Sequence, residues 1–107
     1  MLKLWLDDIR LPPDDSWKWC KTVRHACIML EGRNISQEEI IVSFDHDLGD
    51  DEQHGTGYDL AKYFEGTAGS GKIFNVIEWH IHSANPVGRA NIQKAMESFD
   101  RIRKSES

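Results

Sequence analysis

Apolar positions along the chain fall into short continuous runs and longer periodic ones, and the two alternate. Leu2–Leu6 and Ile40–Phe44 are mostly apolar over five positions, the second β-branched over its first three, and both stop abruptly at charge. Runs of that length, bounded in that way, predict buried strands. A third run, Val76–Ile81, ends in His82-Ser83, and residues 17–20 alternate large apolar with polar side chains, which predicts a brief fourth strand. Between them Val23, Ala26, Cys27 and Leu30 recur at helical spacing after Thr22, with Gly32 just past the end. Tyr58, Leu60, Ala61 and Phe64 mark a short second helix. Ile92, Ala95, Met96 and Phe99 mark a final one that Pro86 opens and Arg101, Arg103 and Lys104 close against the helix dipole. Ser36-Gln37-Glu38-Glu39 has the spacing of a capping box and predicts a helical turn before Ile40. Residues 50–57 read as a mobile polar loop and residues 66–72 as a small flexible connection.

Strands alternating with helices predict an α/β fold with a short, mainly parallel four-stranded sheet, covered on both faces, and no clear fifth strand. The chain of 107 residues has room for one core, hence one domain over 1–107. In open sheets of this kind ligands bind beyond the carboxyl ends of the strands. Three strands here end in Asp7-Asp8, in Asp45-His46-Asp47 and in His82-Ser83. Their convergence in one crevice is the central expectation.

Composition narrows the partners. The net charge of −5, from 18 acidic against 13 basic residues, provides no broad footprint for an extended duplex. It leaves room for a small phosphorylated ligand, because a cation among carboxylates reverses the local potential. Cys20 and Cys27 form no CxxC pair, which fits a reducing compartment. No apolar run approaches the roughly 20 residues that span a bilayer, and charge arrives at Asp7, too early for a signal peptide. The expected location is the cytoplasm, without membrane association.

Asp7, Asp8, Asp45 and Asp47 would repel one another if gathered, and a hard divalent ion, Mg²⁺ or Mn²⁺, relieves that repulsion. Asp14, Asp15, Asp50 and Asp51 read as loop caps. His46 lies between two of the acids, and His82 stands at a strand tip where an imidazole could move a proton. His80 and His82, two apart on a strand, would share a side and could bind Zn²⁺. His25 and His54 read as solvated. Ser83, Asn85 and the amide of Gly88 would offer donors to a phosphate, or else simply cap the last helix. Arg10 and Arg89 are available to clamp phosphoryl oxygens. The four tryptophans read as core more than as platforms for a base.

Asp7-Asp8, Asp45 and Ser83 resemble, in order, the acidic pair, the aspartate and the Ser or Thr of response-regulator receiver domains, whose fold is a flavodoxin-like three-layer sandwich. The lysine and fifth strand of that family have no counterpart, and a Pro-rich loop stands where its first helix would lie. A closer resemblance is to the cyclic-phosphate-processing receiver domains. It rests on residues 4–10 (LWLDDIR), 44–49 (FDHDLG), 57–59 (GYD) and 82–88 (HSANPVG). That resemblance implies a receiver-like sheet turned into an enzyme that opens cyclic phosphates on nucleotides or RNA ends. On that reading Asp8, Asp45, His46, His82 and Ser83 are catalytic, and Asp7, Asp8, Asp45 and Asp47 hold the metal. Arg10, Ser83, Asn85, Gly88 and Arg89 bind phosphate. The alternative is a non-enzymatic module that binds or sequesters a phosphorylated nucleotide, or accepts a phosphoryl group on Asp45.

Overall fold

The structure, a computed structural model, describes residues 1–32, 38–49 and 51–106. The elements follow in the order β1 (Leu2–Leu6), β2 (Lys18–Cys20), α1 (Val23–Glu31), β3 (Ile40–Phe44), α2 (Asp51–His54), α3 (Gly57–Gly69), β4 (Val76–Ile81) and α4 (Pro86–Glu106). The four strands form one parallel sheet in the order β2-β1-β3-β4. It is the α/β, receiver-like sheet that the alternating runs predict, with no fifth strand among the described residues.

Side chains alternate across a strand, so Leu2, Leu4 and Leu6 share one face with their neighbours Ile40, Val42 and Phe44. All six are buried, and they join Ala26 and Leu30 of α1, Leu60 and Phe64 of α3, and Ile92, Met96 and Phe99 of α4 in a single core. All three long helices therefore lie on one face. The reason is topological. The steps from β2 to β3 and from β3 to β4 run the same way across the sheet, and right-handed crossovers put α1 and α3 on the same side. Only the step from β1 to β2 runs the other way, and its connection is the Pro-rich segment. That loop covers the second face: Trp17 meets Trp5 edge-on at 5.6 Å, and the Lys3 ammonium lies over Trp17 and donates to Ser16 Oγ. The third layer is this loop, in keeping with the Pro-rich stretch that stands in place of a first helix.

Local chemistry explains the element ends. Thr22 Oγ1 accepts the His25 amide at the start of α1. Thr56 and Asp59 form a full capping box at α3, the Thr56 hydroxyl accepting the Asp59 amide and the Asp59 carboxylate accepting the Thr56 amide. With that start, α3 runs on to Gly69, so most of the stretch expected to be flexible is its last turn. Part of the expected loop at 50–57 is likewise helical, as the single turn α2. The turn expected at Ser36 rests on residues outside the described ones. Cys20 and Cys27 are free thiols, and burial pushes Cys20 up to about 11, which makes it a packing residue and a poor nucleophile. Among the described residues no helix is long and apolar enough to cross a membrane.

Candidate functional site

The tip of β1 is built around a buried carboxylate. Asp7 Oδ1 accepts the amides of Ile9 and Arg10, at 2.9 and 2.7 Å, which turns the chain sharply after the strand. Two indoles brace that turn: Trp19 Nε1 donates to the Asp7 carbonyl and Trp5 Nε1 to the Arg10 carbonyl. Asp7 Oδ2 lies 3.0 Å from His82 Nε2, and His82 Nδ1 lies 2.7 Å from Ser43 Oγ. A carboxylate only accepts, so Nε2 carries the proton and the neutral ring accepts a hydrogen bond from the Ser43 hydroxyl at Nδ1. Trp5 stacks flat on this imidazole, with centroids 4.0 Å apart and planes within 3°. Burial pushes the His82 pKa below its ordinary value, with Asp7 and Asp45 acting in the opposite sense. Ser43, His82 and Asp7 thus form a closed relay running from inside the sheet to the crevice.

At the tip of β3, Asp45 accepts the His46 amide at 2.9 Å and a bond from Ser83. Burial first, and then the neighbouring Asp7 charge, raise the Asp45 pKa. The first residue of α3 packs on the same tip: the Gly57 amide donates to the His46 carbonyl at 3.0 Å, and any Cβ at Gly57 would collide with the Asp45 backbone. Asp7, Asp8 and Asp45 each bring a carboxylate oxygen within 4.8 Å of the others. They face an open crevice of about 480 Å³ that Arg10, Asp47 and Gly49 also line, with Ile9 and Ala84 on its rim. Three hard oxygen donors, one of them on a buried residue, suit a divalent ion such as Mg²⁺ or Mn²⁺. Asp7 Oδ1 is taken by its two amides, and Oδ2 keeps one lone pair beyond the one its imidazole partner occupies.

The tip of β4 departs from the sequence reading. Ser83 is buried and accepts the Asn85 amide at 3.1 Å. Asn85 Oδ1 in turn accepts the Gly88 amide at 3.0 Å, so Asn85 caps α4 and that amide is not open to a phosphate. What Gly88 supplies is room, since a Cβ there would stand 2.7 Å from His46 Cβ and closer still to its ring. Arg89 does not line the crevice; its Nη1 donates to the carbonyls of Ile81 and Ser83 and ties α4 to the strand end. Arg10 does line it, while also donating to the His82 carbonyl at 2.9 Å.

Asp47 stands outside the trio of acids. Its carboxylate takes His46 Nδ1 at 2.9 Å and Asn85 Nδ2 at 3.4 Å, and the His46 contact above all holds its pKa below the usual range. His80 pairs with Glu78 at 2.7 Å on the exposed strand edge while both His82 nitrogens are taken, so the two rings form no joint Zn²⁺ site. Asp14 does cap its loop, accepting the Ser16 amide. Asp8 and Asp45 line the crevice, while Ser83 is buried and bonds to Asp45; Ser43, Trp5 and Trp19, unforeseen, bear on the site through His82 and the turn after β1. Alternation along β3 does place Ser43 on the face of Trp5, which is the signal that could have found it.

A four-stranded parallel sheet with acids at its carboxyl edge and a serine one strand further along defines a receiver-like domain. Residues 2–98 match the model of the cyclic-phosphate processing receiver domain, and the chain belongs to that family. No curated protein and no solved structure shows a significant match.

Proposed function

We propose that the chain is a metal-dependent phosphodiesterase that opens a cyclic phosphate, either in a cyclic nucleotide or at a 2′,3′-cyclic-phosphate nucleic-acid end. The observation that carries this reading is the convergence of Asp7, Asp8 and Asp45 in a crevice flanked by Arg10 and by the His46–Asp47 pair. Asp7, Asp8 and Asp45 would hold Mg²⁺ or Mn²⁺, which when bound polarises a phosphoryl oxygen and acidifies water. The Arg10 guanidinium offsets charge on the phosphoryl group. His46, gripped at Nδ1 by Asp47 and walled by Gly88, donates a proton from Nε2 to the departing ribose oxygen. His82 is a positioning residue in this scheme, because both of its nitrogens are spent on Ser43 and Asp7. Ser83 steadies Asp45 in the same way.

The crevice lies within the usual range of small-molecule sites, roughly 300–1,000 Å³, and the acidic surface disfavours long duplexes. The test is incubation with Mn²⁺ or Mg²⁺ and a panel of cyclic mononucleotides, cyclic dinucleotides and RNA carrying a 2′,3′-cyclic phosphate, with products read by mass spectrometry. A linear phosphomonoester or ring-opened product that disappears with Asp45→Asn supports the reading. Intact substrates throughout would leave a binding or phosphoacceptor module in its place.

A further inference from the structure

Proton bookkeeping in the proposed hydrolysis requires a base as well as an acid, and this inference rests on that hydrolytic reading. His46 is assigned as the acid, on the α4 side of the β3 tip. On the β1 side stands His54, which the sequence places in solvent. It closes α2, and its Nδ1 lies 2.7 Å from the Leu48 carbonyl. A carbonyl only accepts, so Nδ1 carries the ring proton, and in the neutral imidazole Nε2 bears the lone pair. Among the described residues Nε2 has no hydrogen-bond partner.

The backbone brings this ring back to the acids. Gly49 at φ +89° and Gly55 at φ +73° bracket α2 with the left-handed turns that glycine adopts freely, folding the short helix onto the tip of β3. A Cβ on Gly49 would stand 3.3 Å from His54 Nδ1 and 3.6 Å from Asp8 Oδ2. The glycine therefore keeps open a gap with the Nδ1–Cε1 edge of the imidazole on one side and a carboxylate of the acid trio on the other. The remaining histidines are placed elsewhere: His25 is exposed on α1, His80 is paired with Glu78, and both His82 nitrogens are used.

We propose that His54 is the general base of the reaction. The attacking water gives a proton to His54 Nε2 as its oxygen forms a bond to phosphorus, directly or through one intervening water. The phosphorus–oxygen bond to the ribose breaks, and that oxygen takes the proton of His46. The net change is one water added across one phosphoester bond, with no other reactant.

The test uses the full chain with Mn²⁺ and two probes, 2′,3′-cyclic AMP and 3′,5′-cyclic AMP. His54→Ala is expected to lose about 10²-fold or more in kcat, with unchanged Mn²⁺ affinity, unchanged thermal unfolding and KM within about threefold. Added imidazole should restore part of the lost rate in His54→Ala. His54→Gln, which keeps a donor for Leu48 but has no basic nitrogen, should be equally slow and gain nothing from imidazole. If the wild type turns over and His54→Ala stays within about threefold of it, the base assignment is wrong and the hydrolase reading stands. Loss of activity together with Mn²⁺ binding or fold, or an active His54→Gln, also overturns it by showing a structural or ligand role. A wild type inert toward both probes and toward the wider substrate panel removes the hydrolase reading and this inference with it.

Discussion

Two glycines of the same helix should respond to the same substitution with opposite signs. Gly57 opens α3 against the tip of β3, where an added Cβ would stand 2.9 Å from the Asp45 carbonyl carbon and closer to its oxygen. That obstacle is backbone, held by the Leu6 carbonyl through the Asp45 amide at 2.9 Å, so no side-chain rotation relieves it. Either α3 or the β3 tip must move by about 1 Å, and overpacking of that kind costs about 3 kcal/mol at the upper end of its usual range. In a domain of this size such a loss lowers Tm by about 12 °C or more. Gly66 lies in the same helix with nothing within 4 Å of an added Cβ. Gly66→Ala should therefore stabilise by about 0.5–1 kcal/mol, from the lower backbone entropy of alanine. Urea unfolding followed by circular dichroism measures both. The phosphodiesterase assay should show a further loss for Gly57→Ala alone, since about 1 Å of displacement at a reacting group can cost about 10²-fold. Equal unfolding midpoints for the two variants would refute the claim that α3 is seated directly on the Asp45 backbone.

Asp45→Asn removes one of three facing carboxylates, so the metal-free variant should unfold at a higher urea concentration than the wild type. Partial exposure screens the repulsion and limits the gain to about 1 kcal/mol or less. The same variant should lose the rise in Tm that Mn²⁺ gives the wild type; a lower midpoint without metal would contradict the repulsion argument. Because burial depresses the folded-state pKa of His82 below 6.5, its contribution to stability is complete above that pH and is lost as pH falls through the folded value. Urea midpoints measured between pH 7.5 and 5 should accordingly fall in the wild type and fall less in His82→Gln, and parallel curves would remove the assignment. Ser43→Ala leaves Nδ1 of the half-buried His82 without its donor and should cost about 1–3 kcal/mol, read from the same unfolding curves.

What was legible in the sequence is what local pattern controls. The five-residue runs of β1 and β3 show both a buried strand and, in the acids that end them, the edge of the sheet where chemistry belongs. The spacing of Ile92, Ala95, Met96 and Phe99 likewise describes the core stripe of α4. Contacts made across long stretches of chain were hidden. The Ser43–His82 bond joins residues 39 apart, and nothing adjacent to Ser43 distinguishes it from any polar residue tolerated in a strand. Gly57 and Gly88 read as turn or helix-opening residues, whereas their function is close approach to Asp45 and His46, which depends on how α3 and α4 dock. The Pro-rich segment was legible as a loop in place of a first helix, but its covering of the second face rests on Trp17 meeting Trp5, a contact between residues 12 apart that no local pattern marks. His54 read as solvated because its segment reads as a polar loop, whereas two positive-φ glycines turn that segment back and leave the ring partly buried.

The most direct measurement is an anomalous difference map from crystals grown with Mn²⁺ and a non-hydrolysable cyclic phosphorothioate nucleotide. The account predicts a single strong manganese peak bound by Asp7, Asp8 and Asp45, with the phosphorothioate group beside it and facing Arg10. Manganese at Asp47, at the His80 edge or nowhere on the chain, with the nucleotide seated away from the tips of β1 and β3, would contradict it.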